Sequence, residues 1–149
     1  MRLGDLVPAS GIRLRLSSTE REGAIGELAE LLAAQVDLSA DLVRAALIER
    51  EQLGSTALGH GVAVPHAKLA VARTVGVLGL SEGGIPFDSP DGEPVHIFVA
   101  FISPVQGGRH LLALAAVGQE LSDAEARRRL LAAKSAEDVH ALLDAVPAR

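Results

Sequence analysis

Five histidines carry most of the chemistry open to this chain: His60, His66, His96, His110 and His140. Cys, Tyr and Trp are absent. Thiolate zinc sites, iron–sulfur clusters, disulfides and cysteine or tyrosine nucleophiles are therefore excluded. Imidazole titrates near pH 7, so it is the first candidate for covalent or proton chemistry. The densest local pattern is Gly59-His60-Gly61-Val62-Ala63-Val64-Pro65-His66-Ala67-Lys68. In an extended segment Val62, Val64 and His66 share one face. Pro65 has no N–H to give a ladder and favours a strand end, which places His66 where a strand leaves the sheet. On spacing alone, His66, His60 and His110 read first as polar surface residues. A metal held by His60 and His66 is a third reading, though their spacing is not a standard ligand spacing.

The elements that must position these residues follow from hydrophobic period and caps. Ile12 to Leu16 alternates and predicts a first strand. Thr19 with Glu22 reads as a capping box opening a helix with Ile25, Leu28, Leu31, Leu32 and Val36 on one face. Ser39 caps a second helix whose stripe is Leu42, Val43, Ala46 and Leu47, stopped at Gly54. Short strands follow in the Gly-rich segment, then near Val75–Leu80 and Val95–Ile102. The Val95–Ile102 run is apolar on both faces, as a central strand covered twice would be. The segment from Gly83 to Pro94 between them reads as a loop, with Asp88 and Asp91 shaping turns. Leu111, Leu114, Val117 and Leu121 keep helical spacing, and His110 stands at the head of that helix. Ser122 with Glu125 reads as a second capping box, and Ser135 caps a last helix bearing Val139, Leu142 and Leu143. His96 reads as an in-sheet, hydrogen-bonded histidine, His140 as exposed, and Arg127–Arg129 as a solvated basic face. The order predicts an α/β fold: a three-layer α/β/α arrangement with a central mixed sheet flanked by helices.

Length and charge narrow the partners. The 149 residues suit one domain spanning 1–149, with hydrophobic residues at 48% to fill a core. A net charge of −5 and three Phe as the whole aromatic stock disfavour nucleic acid. No apolar run approaches the ~20 residues needed to insert in a membrane, and Met1–Leu16 does not resemble a signal peptide. A cytoplasmic protein is expected.

In the order and spacing of several segments the chain resembles the enzyme IIA family of the phosphotransferase system (PTS), fructose/mannitol type. Its nitrogen-regulatory (IIA-Ntr) branch matches best. The segments are Arg50-Glu51-Gln52-Leu53-Gly54-Ser55-Thr56, Gly59 through Lys68, Ile85-Pro86-Phe87-Asp88, Asp91 through Val95, and His110-Leu111. The resemblance implies the fold of that family and the work of a phosphoryl carrier, a protein-histidine phosphotransferase without metal or other cofactor. It puts the phosphoryl acceptor on His66, at Nε2, with Arg50 and His110 as active-site partners. It adds Ser55 and Thr56 as phosphate-binding hydroxyls and gives His60 no role. The implied phosphoryl donor is HPr or its nitrogen-branch relative. The implied recipient is a IIB domain in sugar transport, or a set of regulatory targets. A binding module that keeps the fold without the chemistry is the alternative from a different class.

Overall fold

The computed structural model describes residues 1–145. A central sheet runs in the order β1-β5-β6-β3-β2, with β4 also pairing β6. Its strands are β1 (Ile12–Arg13), β2 (Ala57–Gly59), β3 (Val62–Ala63), β4 (His66–Leu69), β5 (Val75–Ile85) and β6 (Val95–Pro104). The sheet is mixed. β5 and β6 pair antiparallel, whereas β1 runs parallel to β5 and both β3 and β4 run parallel to β6. Helices α2 (Arg21–Gln35) and α3 (Ala40–Gln52) cover one face. Helices α1 (Leu3–Leu6), α4 (Arg109–Glu120), α5 (Ala124–Ala132) and α6 (Ala136–Asp144) cover the other. This is the three-layer α/β/α arrangement with a mixed sheet.

Alternation in β6 sorts its residues between the two cores. Ile97, Val99 and Phe101 face α1, α4 and α6, while Phe98, Ala100 and Ile102 face α2 and α3. All six are buried. Each large apolar side chain removed from water in this way contributes about 1.5–3 kcal/mol before the entropy of ordering is charged against it. β6 is thus the rigid beam of the molecule.

Several local expectations are corrected. The first strand is shorter than Ile12–Leu16. Only Ile12 and Arg13 pair with β5, although Leu16 N–H still donates to Leu80 O. The Thr19/Glu22 box does not form, because α2 begins one residue later, with Glu20 at the cap and no side-chain bond. Glu27 ties down the approach instead, accepting from Ser17 N and Ser18 N at 3.0 and 2.9 Å. Likewise Asp123, not Ser122, caps α5 by accepting from Glu125 N. Ser39 and Ser135 do cap α3 and α6, accepting from Leu42 N and Asp138 N. Leu42 and Leu111 were expected on core faces, yet both are exposed; Val43 with Leu47, and Ala113 with Val117, face inward instead. β5 extends five residues past Leu80 into the expected loop, through a register shift before Ile85. Gly84 makes that possible: it has φ +83°, and a Cβ there would lie 2.9 Å from the His96 ring.

Candidate functional site

The backbone around His66 is one strand broken in the middle. β3 pairs Val62 with Ile97, and β4 pairs His66 with Phe101 in the same register along β6. Pro65 sits in the gap; its carbonyl accepts from Phe101 N at 3.0 Å, but it has no N–H to offer. His66 therefore opens a strand, whereas a strand end was expected. Val62, Val64 and His66 do share a face as alternation requires.

The imidazole is held on two sides. It stacks on Phe101, with ring centroids 5.1 Å apart and an interplanar angle of 12°. Its Nδ1 lies 2.7 Å from Val64 O. A carbonyl oxygen can only accept, so Nδ1 carries the proton and the Nε2 lone pair is left free. Partial burial is the main force holding the His66 pKa below its ordinary 6.5. The Val64 hydrogen bond opposes that shift; the positive charge of Arg50 and of His110 adds to it, and Glu51 opposes it. The ring is thus neutral at pH 7, the state in which nitrogen is a nucleophile.

This has a pH consequence. The unfolded chain takes up a proton at His66 once pH drops below 6.5, and the folded chain resists. The contribution of His66 to stability is complete above pH 6.5 and is lost as pH falls through the lower folded pKa. In an NMR titration the His66 ring is expected to keep its neutral-state shifts through pH 6.5, with a midpoint below it. A midpoint at or above 6.5 would contradict the assignment of burial as the dominant force.

Arg50, Leu53, His66, Lys68, Leu69 and His110 line one open cleft of ≈ 580 Å³, together with Ala46, Glu49 and Ala67. Arg50 lies in the last turn of α3, and its Nη1 donates to Gly54 O at 3.0 Å. That bond folds the guanidinium over the helix end and leaves its other N–H groups unassigned. His110 is the second residue of α4, and its Nδ1 is buried with no partner. A buried lone pair without a donor is cheaper than a buried N–H without an acceptor, which favours the tautomer with Nε2 protonated and able to donate. Three residues far apart in sequence, Arg50, His66 and His110, are thus brought together. Lys68 and Leu53 join them on the same cleft. Lys68 falls on the face of His66 by strand alternation, a signal present in the sequence.

Ser55 and Thr56 are placed elsewhere, against the expectation that their hydroxyls face the cleft. Ser55 Oγ donates to Phe87 O at 2.6 Å and accepts from Ala57 N. Thr56 Oγ1 donates to Glu51 Oε1 at 2.6 Å, and its N–H donates to Glu51 Oε2 at 2.7 Å. Neither residue lines the His66 cleft. Glu51 itself carries no role in the sequence reading, yet it is 6% exposed. It continues the buried Val43–Leu47 stripe at the next i+4 position.

The remaining histidines separate cleanly. His60 lies in the β2–β3 turn at φ +56°, flanked by Gly59 and Gly61, which also have positive φ. Asp91 braces that turn by accepting from His60 N and Glu93 N, which holds its carboxyl below the usual range. His96 Nδ1 lies 2.9 Å from Ser81 O, the in-sheet bond expected of it. His140 is partly covered beside Asp144, at 3.4 Å, and is not fully exposed. Arg127 also departs from the solvated reading: its Nη1 donates to Leu121 O and Ser122 O. Among the described residues, no group of three His, Asp or Glu side chains is arranged to hold a metal ion. No described helix is long and apolar enough to cross a membrane.

The fold and the cleft define a class: an α/β/α domain with a neutral imidazole, a guanidinium and a second imidazole around an opening that suits an anion. Comparison with known proteins sharpens the class. The chain belongs to the EIIA 2 family of the phosphoenolpyruvate-dependent sugar phosphotransferase system, whose model matches residues 5–146. It is a phosphoryl carrier of that system. It is 34% identical over 146 residues to the nitrogen regulatory protein of Klebsiella oxytoca, covering 96% of this chain and 90% of the other. It is 33% identical over 143 residues to the fructose-specific EIIABC component of Bacillus subtilis, covering 93% of this chain and 22% of that longer protein. The crystal structure of nitrogen regulatory protein IIA-Ntr from Neisseria meningitidis superimposes with a TM-score of 0.88 at 34% identity, covering 95% of this chain and 98% of that one. The same fold recurs in the IIA mannitol–phosphorylated IIB mannitol complex from Escherichia coli, at a TM-score of 0.79 and 23% identity, covering 92% of this chain and 96% of that one.

Proposed function

We propose that His66 is the phosphoryl acceptor and that the chain works as a protein-histidine phosphotransferase component of the nitrogen-regulatory kind. It takes its phosphoryl group from the phosphohistidine of an HPr-type carrier. One observation carries this reading: the 2.7 Å bond from His66 Nδ1 to Val64 O, which leaves Nε2 as the free nucleophile at the cleft. The Nε2 lone pair attacks phosphorus, the P–N bond to the donor breaks, and the donor imidazole leaves with that electron pair. Positive charge then spreads over the His66 ring, and Val64 O faces it through Nδ1–H. Transfer between two imidazoles passes through a loose transition state, so the protein's work is positioning and charge neutralisation. Arg50 supplies a guanidinium fork for the phosphoryl oxygens. His110 supplies an Nε2–H donor. Ser55 and Thr56 shape the turn beside the site.

Similarity to nitrogen regulatory proteins at about a third identity along nearly the whole chain supports the regulatory reading. The similarity to a fructose-specific component supports a second one, in which His66 passes its phosphoryl group to a IIB domain. Exposed Leu53 on the cleft, and Leu111 next to His110 in α4, offer apolar contact for a carrier or a recipient. Membership of a phosphoenolpyruvate-dependent system supports a cytoplasmic protein, and the family match over residues 5–146 supports reading residues 1–149 as a single domain of this family. Incubation with enzyme I, an HPr-type carrier and labelled phosphoenolpyruvate should add one acid-labile, base-stable phosphoryl group per chain. No uptake from any such carrier would sink the reading. A pull-down then separates the branches: a IIB domain among the captured proteins means transport, and its absence beside a sensor or channel means regulation.

A further inference from the structure

Glu51 is the buried charge that the proposed chemistry leaves unused. It lies in the last turn of α3, where the helix dipole disfavours a carboxylate, and it is 6% exposed. Burial of a charge there costs stability unless it is fully hydrogen-bonded.

Its hydrogen bonds lead to the acceptor histidine. Glu51 Oε1 and Oε2 take both donors of Thr56, Oγ1–H at 2.6 Å and N–H at 2.7 Å. Thr56 O accepts from Val64 N at 3.0 Å. Val64 O accepts from His66 Nδ1 at 2.7 Å. Thr56 and Val64 are each pinned at their N–H and at their C=O. The N–H and C=O of one residue belong to different peptide groups, so the path is not conjugated and transmits position rather than charge. The neighbouring residue on the same helix turn is Arg50, whose guanidinium closes on Gly54 O. One turn of α3 thus fixes the cation and, through three hydrogen-bonded steps, the imidazole.

We propose that Glu51 is a positioning residue for phosphoryl transfer. By clamping Thr56 it sets the place of Val64 O, and so holds His66 as the Nδ1–H tautomer with Nε2 aimed into the cleft. This rests on the reading of His66 as the acceptor, but its first readout does not.

The test is ¹⁵N-histidine NMR of the unphosphorylated protein at one pH above 7, paired with the rate of phosphoryl uptake. In the unsubstituted protein His66 should be almost wholly the Nδ1–H tautomer. Glu51→Gln can still accept from Thr56 N and donate to Thr56 Oγ1, so it should keep that tautomer and a rate within about threefold. Glu51→Leu removes the clamp; it should mix the tautomers and slow uptake about tenfold or more, since small misplacements of reacting groups cost that much. Circular dichroism and spectral dispersion establish that each variant is folded. Should Glu51→Leu fail to fold, Thr56→Val carries the same two readouts, losing one donor with little change of shape, and Thr56→Ser should restore them. An unchanged tautomer and rate in folded Glu51→Leu, or in Thr56→Val where it stands in, overturns the proposal. So does a Glu51→Gln defect as large as that of Glu51→Leu, which would make charge the agent rather than position. If the acceptor lies elsewhere, a His66→Ala control still takes up label, while the tautomer measurement continues to judge Glu51.

Discussion

A His66→Ala variant is expected to take up no label from phosphoenolpyruvate through enzyme I and the carrier. The expected loss exceeds about 10³-fold, because removing a covalent nucleophile removes the route itself. The fold should survive. His66 is partly exposed and opens β4, and the backbone bonds of β4 to β6 do not need its ring. The imidazole stack on Phe101 would be lost, a contact worth about 0.5–1.5 kcal/mol by analogy with aromatic pairs. Full labelling in a folded His66→Ala protein would move the chemistry to another histidine. His110, on the same cleft, would then be the first to examine.

The second large effect belongs to Arg50. Arg50→Ala should slow phosphoryl uptake about 10²-fold with the circular dichroism spectrum unchanged. A charge-assisted hydrogen bond contributes about 1.5–3 kcal/mol, and loss of one donor to a developing anion costs about 10²–10³ in rate. Arg50→Lys should recover little of this, because an ammonium cannot give the two parallel bonds of a guanidinium. The fold is indifferent to the change: Arg50 is partly exposed, and its bond to Gly54 O lies at the surface of a helix end. An unchanged rate in the folded variant would remove Arg50 from the site, and Lys68 would become the cation to test.

What the sequence made legible depends on how local each signal is. Ser39 and Ser135 cap their helices through bonds three residues away, so a short window contains both partners. The start of α2 depends on Glu27 reaching back nine and ten residues to Ser18 and Ser17, which no capping pattern describes. The double burial of β6 was visible in its unbroken apolar run. The extension of β5 through Gly83-Gly84-Ile85 was not, because two glycines read as a turn unless the His96 ring is known to lie against Gly84. Leu42 and Leu111 fit an apolar stripe by count, and the actual faces are set by which side of the sheet each helix meets.

The site divides the same way. His66, Arg50 and His110 came from a pattern of segments, and they do line one cleft. Ser55 and Thr56 came from the same pattern, and their hydroxyls are spent on Phe87 O and Glu51. Motif membership located the turn but not the direction of its side chains. Glu51 continues the Val43–Leu47 spacing just as Arg50 continues Leu42–Ala46, so neither its burial nor its partners could be read without the packing that turns Val43 and Leu47 inward and the register that brings Thr56 beside Val64. Phe101, which carries the His66 ring, lies 35 residues away and is set by the pairing of β4 with β6.

The central claim is that His66 reacts through Nε2 because Nδ1–H is committed to Val64 O. Phosphorylating ¹⁵N-histidine-labelled protein and locating phosphorus by ³¹P–¹⁵N coupling tests this at the level of the atom. A single phosphohistidine at His66 Nε2, with Nδ1 still protonated, is the predicted result. Phosphorus on His66 Nδ1, or on His110, would contradict it.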